Sequence, residues 1–482
     1  MHAQRESEGE SEGAKRILKE LMGSQQRVAA ETHILALPMP FQGHMNPMLQ
    51  FSKRLASKGL KVTLLNFTDK QWSKSEEHGS VNVELIFDDT IFSAVSGQED
   101  DDIMSGYVYL KNLYAAVKRR LPEVVAKHGE SGYPISCLVY DSVMPWALDI
   151  AKQLGLFGAV LFTQSCAVTQ IYYEVYQGKL KVPVEKAHVE LEGMPPLEIY
   201  DLPTFLYDLE NYPISLSLST SQFFNIEEAD WVFFNTFNSL EDEGLKWMGR
   251  QYSITPIGPT IPSTYMDKRV KDNKDYGLSL FKPDIESCMD WLDSRETCSV
   301  VYVSFGSLFI LKEKQIEEIA CSLKRSNHYF LWVVREIEKE KIPSSFLDET
   351  SEKGLVVTWC PQLQVLAHKA VGCFMTHCGW NSTLEAMSLG VPMVAMPQWA
   401  DQTTNAKFVA DVWRVGVRVK VGEEGIVAKE EIDLRIREVM EGETAIEIRE
   451  NCQKWEKLAK EAVDEGGSSD KNIEKFVAKL AT

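Results

Sequence analysis

Basic residues are in short supply in this chain. Its 482 residues carry 51 Lys and Arg against 70 Asp and Glu, a net charge of −19 at pH 7. Nucleic acids and anionic membrane surfaces both need a basic face, so this balance speaks against either as a partner. A diphosphate is not excluded, because backbone N–H groups can hold one without Lys or Arg. Paired cysteine spacing is missing as well. Nine cysteines are scattered along the chain, among them Cys137, Cys166, Cys321 and Cys373 in apolar contexts. That pattern predicts free buried thiols in a reducing, cytoplasmic setting. No apolar run is long enough to span a bilayer. No strand-like run is followed by G-x-G-x-x-G, so a dinucleotide-dependent dehydrogenase would lack its phosphate loop.

What is present is an ordinary globular composition, 44% hydrophobic and 25% charged. Single cores stop growing near ~250–300 residues, so a chain of this length should hold more than one domain. Residues 1–32 carry Glu6, Glu8, Glu10 and Glu12 and no hydrophobic segment of signal-peptide type. Transit peptides are poor in acids, and the segment is expected to be a disordered extension.

From His33 onward, strands and helices alternate. Residues 33–37 read as a buried strand ending in Pro38. A loop over 40–44 follows, then a helix with Asn46 as its cap and Pro47 in its first position. Gly59 closes that helix, and 61–65 form the next strand. Such a βαβ unit predicts a parallel sheet. The pattern repeats with a strand at 136–140, Asp141, a helix through Ala147, Ile150 and Leu154, and strands at 156–162 and 231–235. Pro256, Gly258, Pro259, Pro262 and a charged stretch at 267–275 mark a linker. Strands then fall at 299–304, 329–334, 355–358, 371–376 and 391–396, with helices at 314–324 and 382–389. The expected fold class is α/β, with two doubly wound Rossmann-like domains facing a cleft. The domains are expected at 33–256 and 286–460, with a linker at 257–285 and a final helix at 461–482. In such sheets ligands sit beyond the strand C-termini, which puts the site in the cleft.

The densest chemistry lies in the 44 residues 359–402. A strand ends near Thr376, Gly379 allows a turn, and a helix is expected from Asn381 or Ser382. A helix N-terminus offers unpaired N–H groups and partial positive charge to a phosphate. His377, Asn381 and Ser382 add side-chain donors there. Each residue also has a plainer reading. Ser382 and Glu385 have capping-box spacing, Trp359 suits a core, and Ser307 suits a turn. His44 could be structural, and Asp141 could cap the helix after it.

Residues 359–402 resemble, over their whole length, the donor-binding signature of plant family 1 UDP-glycosyltransferases. Residues 41–47, Phe-Gln-Gly-His-Met-Asn-Pro, and 140–142, Tyr-Asp-Ser, are similar to that family's two catalytic motifs. The resemblance extends from about His33 to the C-terminus, and residues 457–480 resemble the family's terminal helices, which cross back onto the first domain. It implies a GT-B fold with an acceptor-binding first domain and a UDP-sugar-binding second one. It implies an inverting, metal-independent hexosyltransferase in which His44 is the general base and Asp141 orients it. Trp359 would stack on uracil beside Cys360 and Gln362. Ser307, His377, Asn381 and Ser382 would hold the diphosphate, Glu385 the ribose, and Asp401 and Gln402 the sugar. Trp380 and Trp399 complete the donor set. The terminal Gln implies UDP-glucose, with no further cofactor.

The implied acceptor is a small lipophilic metabolite, such as a steroid, triterpenoid, flavonoid or aromatic acid. Phe41, Trp146 and Phe162 are candidate acceptor neighbours, and Gln164 lies near a sugar-contacting position. No nucleic-acid partner or membrane segment is expected, and the chain should be a monomer. Three rival readings are weaker. Asp100-Asp101-Asp102 contains a D-x-D pattern but sits in an acidic run. Cys360, His368, Cys373, His377 and Cys378 have irregular spacing for structural zinc. A nucleotide-sugar sensor without catalysis would have no use for His44 and Asp141.

Overall fold

The structure is a computed structural model that describes residues 32–68, 81–91, 102–277 and 283–480. Residues 1–31 of the expected extension, and Asp100 and Asp101 of the D-x-D pattern, lie outside them. The first of two large sheets has seven parallel strands in the order β3-β2-β1-β4-β5-β8-β9. These are β1 (His33–Leu37), β2 (Lys61–Thr68), β3 (Asn82–Phe87), β4 (Ile135–Asp141), β5 (Phe157–Phe162), β8 (Trp231–Phe234) and β9 (Ile254–Pro256). A short antiparallel pair, β6 (His188–Val189) and β7 (Leu197–Glu198), stands apart. The second large sheet has six parallel strands in the order β12-β11-β10-β13-β14-β15. They are β10 (Val300–Ser304), β11 (Tyr329–Val333), β12 (Gly354–Val357), β13 (Val371–Thr376), β14 (Met393–Ala395) and β15 (Gly416–Arg418).

Strands such as β1, β10 and β13 are buried along their whole length. That is why they read as continuous apolar runs and not as alternation: helices cover both faces of a parallel sheet. Each sheet reverses its winding once. In the first sheet the reversal falls between β1 and β4, and in the second between β10 and β13. Such switch points open a crevice at the strand C-termini. His44 follows β1, Asp141 ends β4, Ser307 follows β10 and His377 follows β13.

Three local expectations need correction. The first helix spans Gln42–Ser57, so Pro47 lies inside it and Asn46 is not its cap. The signature helix spans Trp380–Ser388 with Gly379 at its N-cap, earlier than Asn381 or Ser382. All nine cysteines are free, but Cys321 and Cys298 are exposed. Cys321 shares the solvent face of the helix Glu313–Ser326 with Glu317 and Lys324, one turn away on either side.

Candidate active site

The first lip of the cleft is built on β1 and β4. Asp141 is fully buried at the end of β4, and its Oδ2 lies 2.8 Å from His44 Nδ1. The other carboxylate oxygen accepts from the backbone N–H of Val143 at 3.2 Å. The helix that follows, Trp146–Gln153, has Pro145 at its N-cap, so the capping reading of Asp141 does not hold. A carboxylate facing Nδ1 requires the proton on that nitrogen, which leaves Nε2 as the basic end of the ring. His44 keeps 28% side-chain exposure. Burial opposes its imidazolium, but the charge and hydrogen bond of Asp141 and the charge of Asp401 outweigh burial and raise its pKa. Thr163, just past β5, brings its Oγ1 to 3.1 Å from the same Nδ1.

The second lip is built on β10 and β13. Burial pushes the His377 imidazole down to about 4, so it is neutral at pH 7, despite a backbone contact with Ser304. Its ring is wedged between two glycines. A Cβ on Gly306 would lie 2.8 Å, and one on Gly379 2.5 Å, from Nε2. Gly306 also has φ +77°, so its identity is fixed twice over. The loop beyond Ser304 is held by Arg335, which donates to the Ser307 carbonyl at 3.0 Å. Trp380 turns its indole away from the helix N-terminus into the seam between the domains. Its Nε1 donates to the Asn235 carbonyl at 2.8 Å. Asn381 reaches across the cleft and donates to the Gly43 carbonyl at 2.7 Å.

Gln362, Ser382 and Glu385 form one connected group. Gln362 Nε2 donates to Ser382 Oγ at 3.0 Å and to Glu385 Oε2 at 2.7 Å. Tyr276, from the linker, donates to Glu385 Oε1 at 2.7 Å. No capping box forms, because both side chains are engaged by Gln362 and the helix starts two residues earlier. Burial pushes the Glu385 carboxyl up to about 7, against the pull of those two hydrogen bonds. Tyr302 OH donates to Gln362 Oε1 at 3.0 Å and lies 3.2 Å from Cys360 Sγ. Trp359 is half-buried at the end of this group, and its carbonyl accepts from the Asp284 N–H at 3.1 Å.

At the end of the signature, Gln402 Oε1 accepts from the N–H groups of Gln398 and Trp399 at 2.9 and 3.1 Å. That fixes its amide and leaves the NH₂ as the end a sugar hydroxyl could meet. Burial pushes the Asp401 carboxyl up to about 6, while a hydrogen bond from Asn405 opposes it. Trp399 stands in an aromatic wall with Phe205, Tyr212 and Phe309, at centroid distances of 5.8, 6.0 and 6.4 Å. Of the candidate acceptor neighbours, Phe162 is core, stacked on Phe234 at 4.7 Å. Phe41 and Trp146 are only partly buried, and Gln164 donates to Thr169 at 3.1 Å. Among the described residues no helix is long and apolar enough to cross a membrane, and no group of His, Cys, Asp and Glu could hold a metal ion.

Thr163, Tyr276 and Asn405 are absent from the sequence reading. Single residues of common types carry no pattern. Only topology finds Thr163, at the C-terminus of the strand beside β4.

Two Rossmann-like domains joined at a cleft, with a His–Asp pair on one lip and a helix N-terminus on the other, define a GT-B glycosyltransferase. A family model described as "UDP-glucoronosyl and UDP-glucosyl transferase" matches residues 274–460. The chain is 50% identical over 452 residues to UDP-glycosyltransferase 74E1 of Arabidopsis thaliana, covering 93% of this chain and 98% of that one. It is 50% identical over 459 residues to Mogroside I-E synthase of Siraitia grosvenorii, with coverage of 93% and 98%. The crystal structure of Os79 from O. sativa in complex with UDP superposes with a TM-score of 0.85 at 39% identity, over 93% of this chain and 100% of that one. The chain belongs to the plant family 1 UDP-glycosyltransferases, enzymes that transfer a glycosyl group to small-molecule acceptors.

Proposed function

We propose that this enzyme transfers glucose from UDP-glucose, with inversion, to a hydroxyl or carboxyl of a small lipophilic plant metabolite. Steroids, triterpenoids, flavonoids and aromatic acids are the acceptor classes in view. The observation that carries the reading is the His44–Asp141 contact of 2.8 Å at the first sheet's switch point, opposite the signature helix. His44 Nε2 takes the proton of the acceptor hydroxyl while that oxygen attacks C1 of glucose. The bond from C1 to the β-phosphate oxygen breaks on the opposite face, and UDP leaves with the bonding pair. Asp141 stabilises the imidazolium formed in that step.

The donor would lie along the second lip. Trp359 offers a stacking face for uracil, worth about 1–3 kcal/mol. Glu385, which also accepts from Tyr276 OH, meets the ribose hydroxyls. The helix N-terminus at 380–382, His377 and Ser307 take the diphosphate, whose charge is met by neutral donors and the helix dipole. Asp401 and Gln402 bind the sugar hydroxyls. No metal is needed in this scheme.

The test is UDP release from UDP-glucose by wild type and His44→Ala against a panel of the four acceptor classes. Acceptor-dependent release that drops by about 10²–10⁴ in the variant, with UDP affinity retained, is the expected result. Full turnover of a neutral hydroxyl acceptor by His44→Ala would overturn the base assignment. A carboxylate acceptor decides less, since it arrives deprotonated.

A further inference from the structure

The helix Gln402–Lys407 starts directly after Asp401, and Asn405 lies one turn inside it. Asn405 is 1% exposed, and every atom of its amide is engaged. Its Nδ2 donates to Asp401 Oδ2 at 2.8 Å and to the Cys378 carbonyl at 3.0 Å. Its Oδ1 accepts from Ser165 Oγ at 3.0 Å. These partners fix the orientation without ambiguity. A carboxylate and a carbonyl only accept, so the NH₂ must face both of them. A flipped amide would set two pairs of acceptors against each other.

The three partners come from three places. Asp401 is the penultimate residue of the signature. Cys378 lies in the turn between β13 and the signature helix, with φ +61°. Ser165 is the N-cap of the helix Cys166–Tyr176 in the first domain, where its hydroxyl also accepts from the Val168 N–H. Glu241 holds the same helix end by accepting from the N–H groups of Cys166 and Ala167, each at 3.0 Å.

We propose that Asn405 is a positioning residue for the donor sugar: its amide holds the Asp401 carboxylate at a fixed distance from the diphosphate turn, and the first domain's Ser165 sets the angle of that amide. The proposal rests on the reading of Asp401 as a sugar-binding group. It adds that sugar recognition depends on a buried residue that touches neither sugar nor nucleotide. A buried amide bridging two acceptors acts on the geometry between them, so its loss should be felt by ligands that span both. Of the two points that Asn405 bridges, UDP engages only the turn, whereas UDP-glucose engages both.

The experiment is calorimetric titration of UDP and of UDP-glucose into wild type, Asn405→Asp, Asn405→Ser and Asp401→Asn. Asn405→Asp keeps the shape but turns a donor into an acceptor beside Asp401; Asn405→Ser removes the fork with no new charge and covers the case in which the acid misfolds. For both Asn405 variants the Kd of UDP-glucose should rise at least about tenfold while that of UDP stays within about threefold. Equal losses for the two ligands would reduce Asn405 to a structural residue, and no loss for either would remove it from donor binding; both outcomes overturn the proposal. Asp401→Asn separates the two levels. If it leaves the UDP-glucose to UDP ratio at wild-type value, the sugar reading of Asp401 fails and takes this proposal with it. If it lowers the ratio and the Asn405 variants do not, only this proposal fails.

Discussion

In the proposed mechanism His44 is the base, and its strength is set by neighbours that can be removed one at a time. Its pKa lies above the ordinary 6.5 because Asp141 and Asp401 outweigh the effect of burial. A base works only when neutral, so a raised pKa places the acid limb of kcat/KM above pH 6.5. Asn in place of Asp141 deletes the dominant favourable charge and leaves burial in control. The acid limb of Asp141→Asn should therefore move to lower pH, by about one unit or more. The plateau rate should fall by roughly 10²–10⁴, since an amide no longer selects the tautomer with a free Nε2. A pH profile of kcat/KM for both proteins measures this, and a limb that stays or moves upward contradicts it. Asp141 is visible in the sequence because it closes an apolar run, whereas His44 sits in a loop, and the pairing of the two comes from resemblance to the family's two short motifs. Only the placement of Pro145 at the helix start rules out Asp141 as its cap. Thr163 and Tyr276 were illegible, because what recruits them is a neighbouring strand and a linker path, not their own surroundings in sequence.

At the scale of the helix Gln42–Ser57, a proline decides what a carbonyl does. Pro47 is the sixth residue and has no N–H to give to the Gly43 carbonyl four residues back. That carbonyl instead accepts from Asn381 across the cleft at 2.7 Å. The sequence rule that favours proline in the first helical position put the start at Pro47; the structure starts at Gln42 because a partner on the other domain satisfies the group that proline leaves open. The strand Val371–Thr376 is legible to the residue, since full burial leaves a continuous apolar run. Pro47→Ala restores the missing N–H and makes the two donors compete for one oxygen. Thermal stability should rise, while the cross-cleft bond weakens by about 1 kcal/mol and KM for UDP-glucose increases up to about fivefold. A melting curve and a donor saturation curve test the two halves, and an unchanged KM would mean the link to Asn381 does not matter for donor binding.

For the whole molecule, the end of the chain belongs to the beginning of the fold. The helix Ser468–Leu480 follows the second sheet in sequence but packs on the first. Phe476 is 1% exposed, with ring centroids 4.8 Å from Trp231, 4.9 Å from Phe233 and 6.3 Å from Phe51. Ser469 Oγ donates to the Gly258 carbonyl at 2.6 Å and Asn472 Nδ2 to that of Pro256 at 2.9 Å, so the helix also fastens the start of the linker. Lys58 meets Asp470 at 2.7 Å and Glu474 at 2.8 Å. The two α/β domains could be read from alternating patterns, but an amphipathic helix does not say which core it completes; that assignment came from family resemblance alone. Phe476→Ala should cost about 3–5 kcal/mol in urea unfolding, as for a large aromatic removed from a closed core. Phe476→Leu, which keeps most of the volume, should cost about 1.5 kcal/mol or less. UDP affinity under native conditions should stay at wild-type value in both, because those three aromatic neighbours all belong to the first domain. A loss below about 1 kcal/mol in Phe476→Ala would mean that the helix merely rests on the surface and that the first domain's core closes without it.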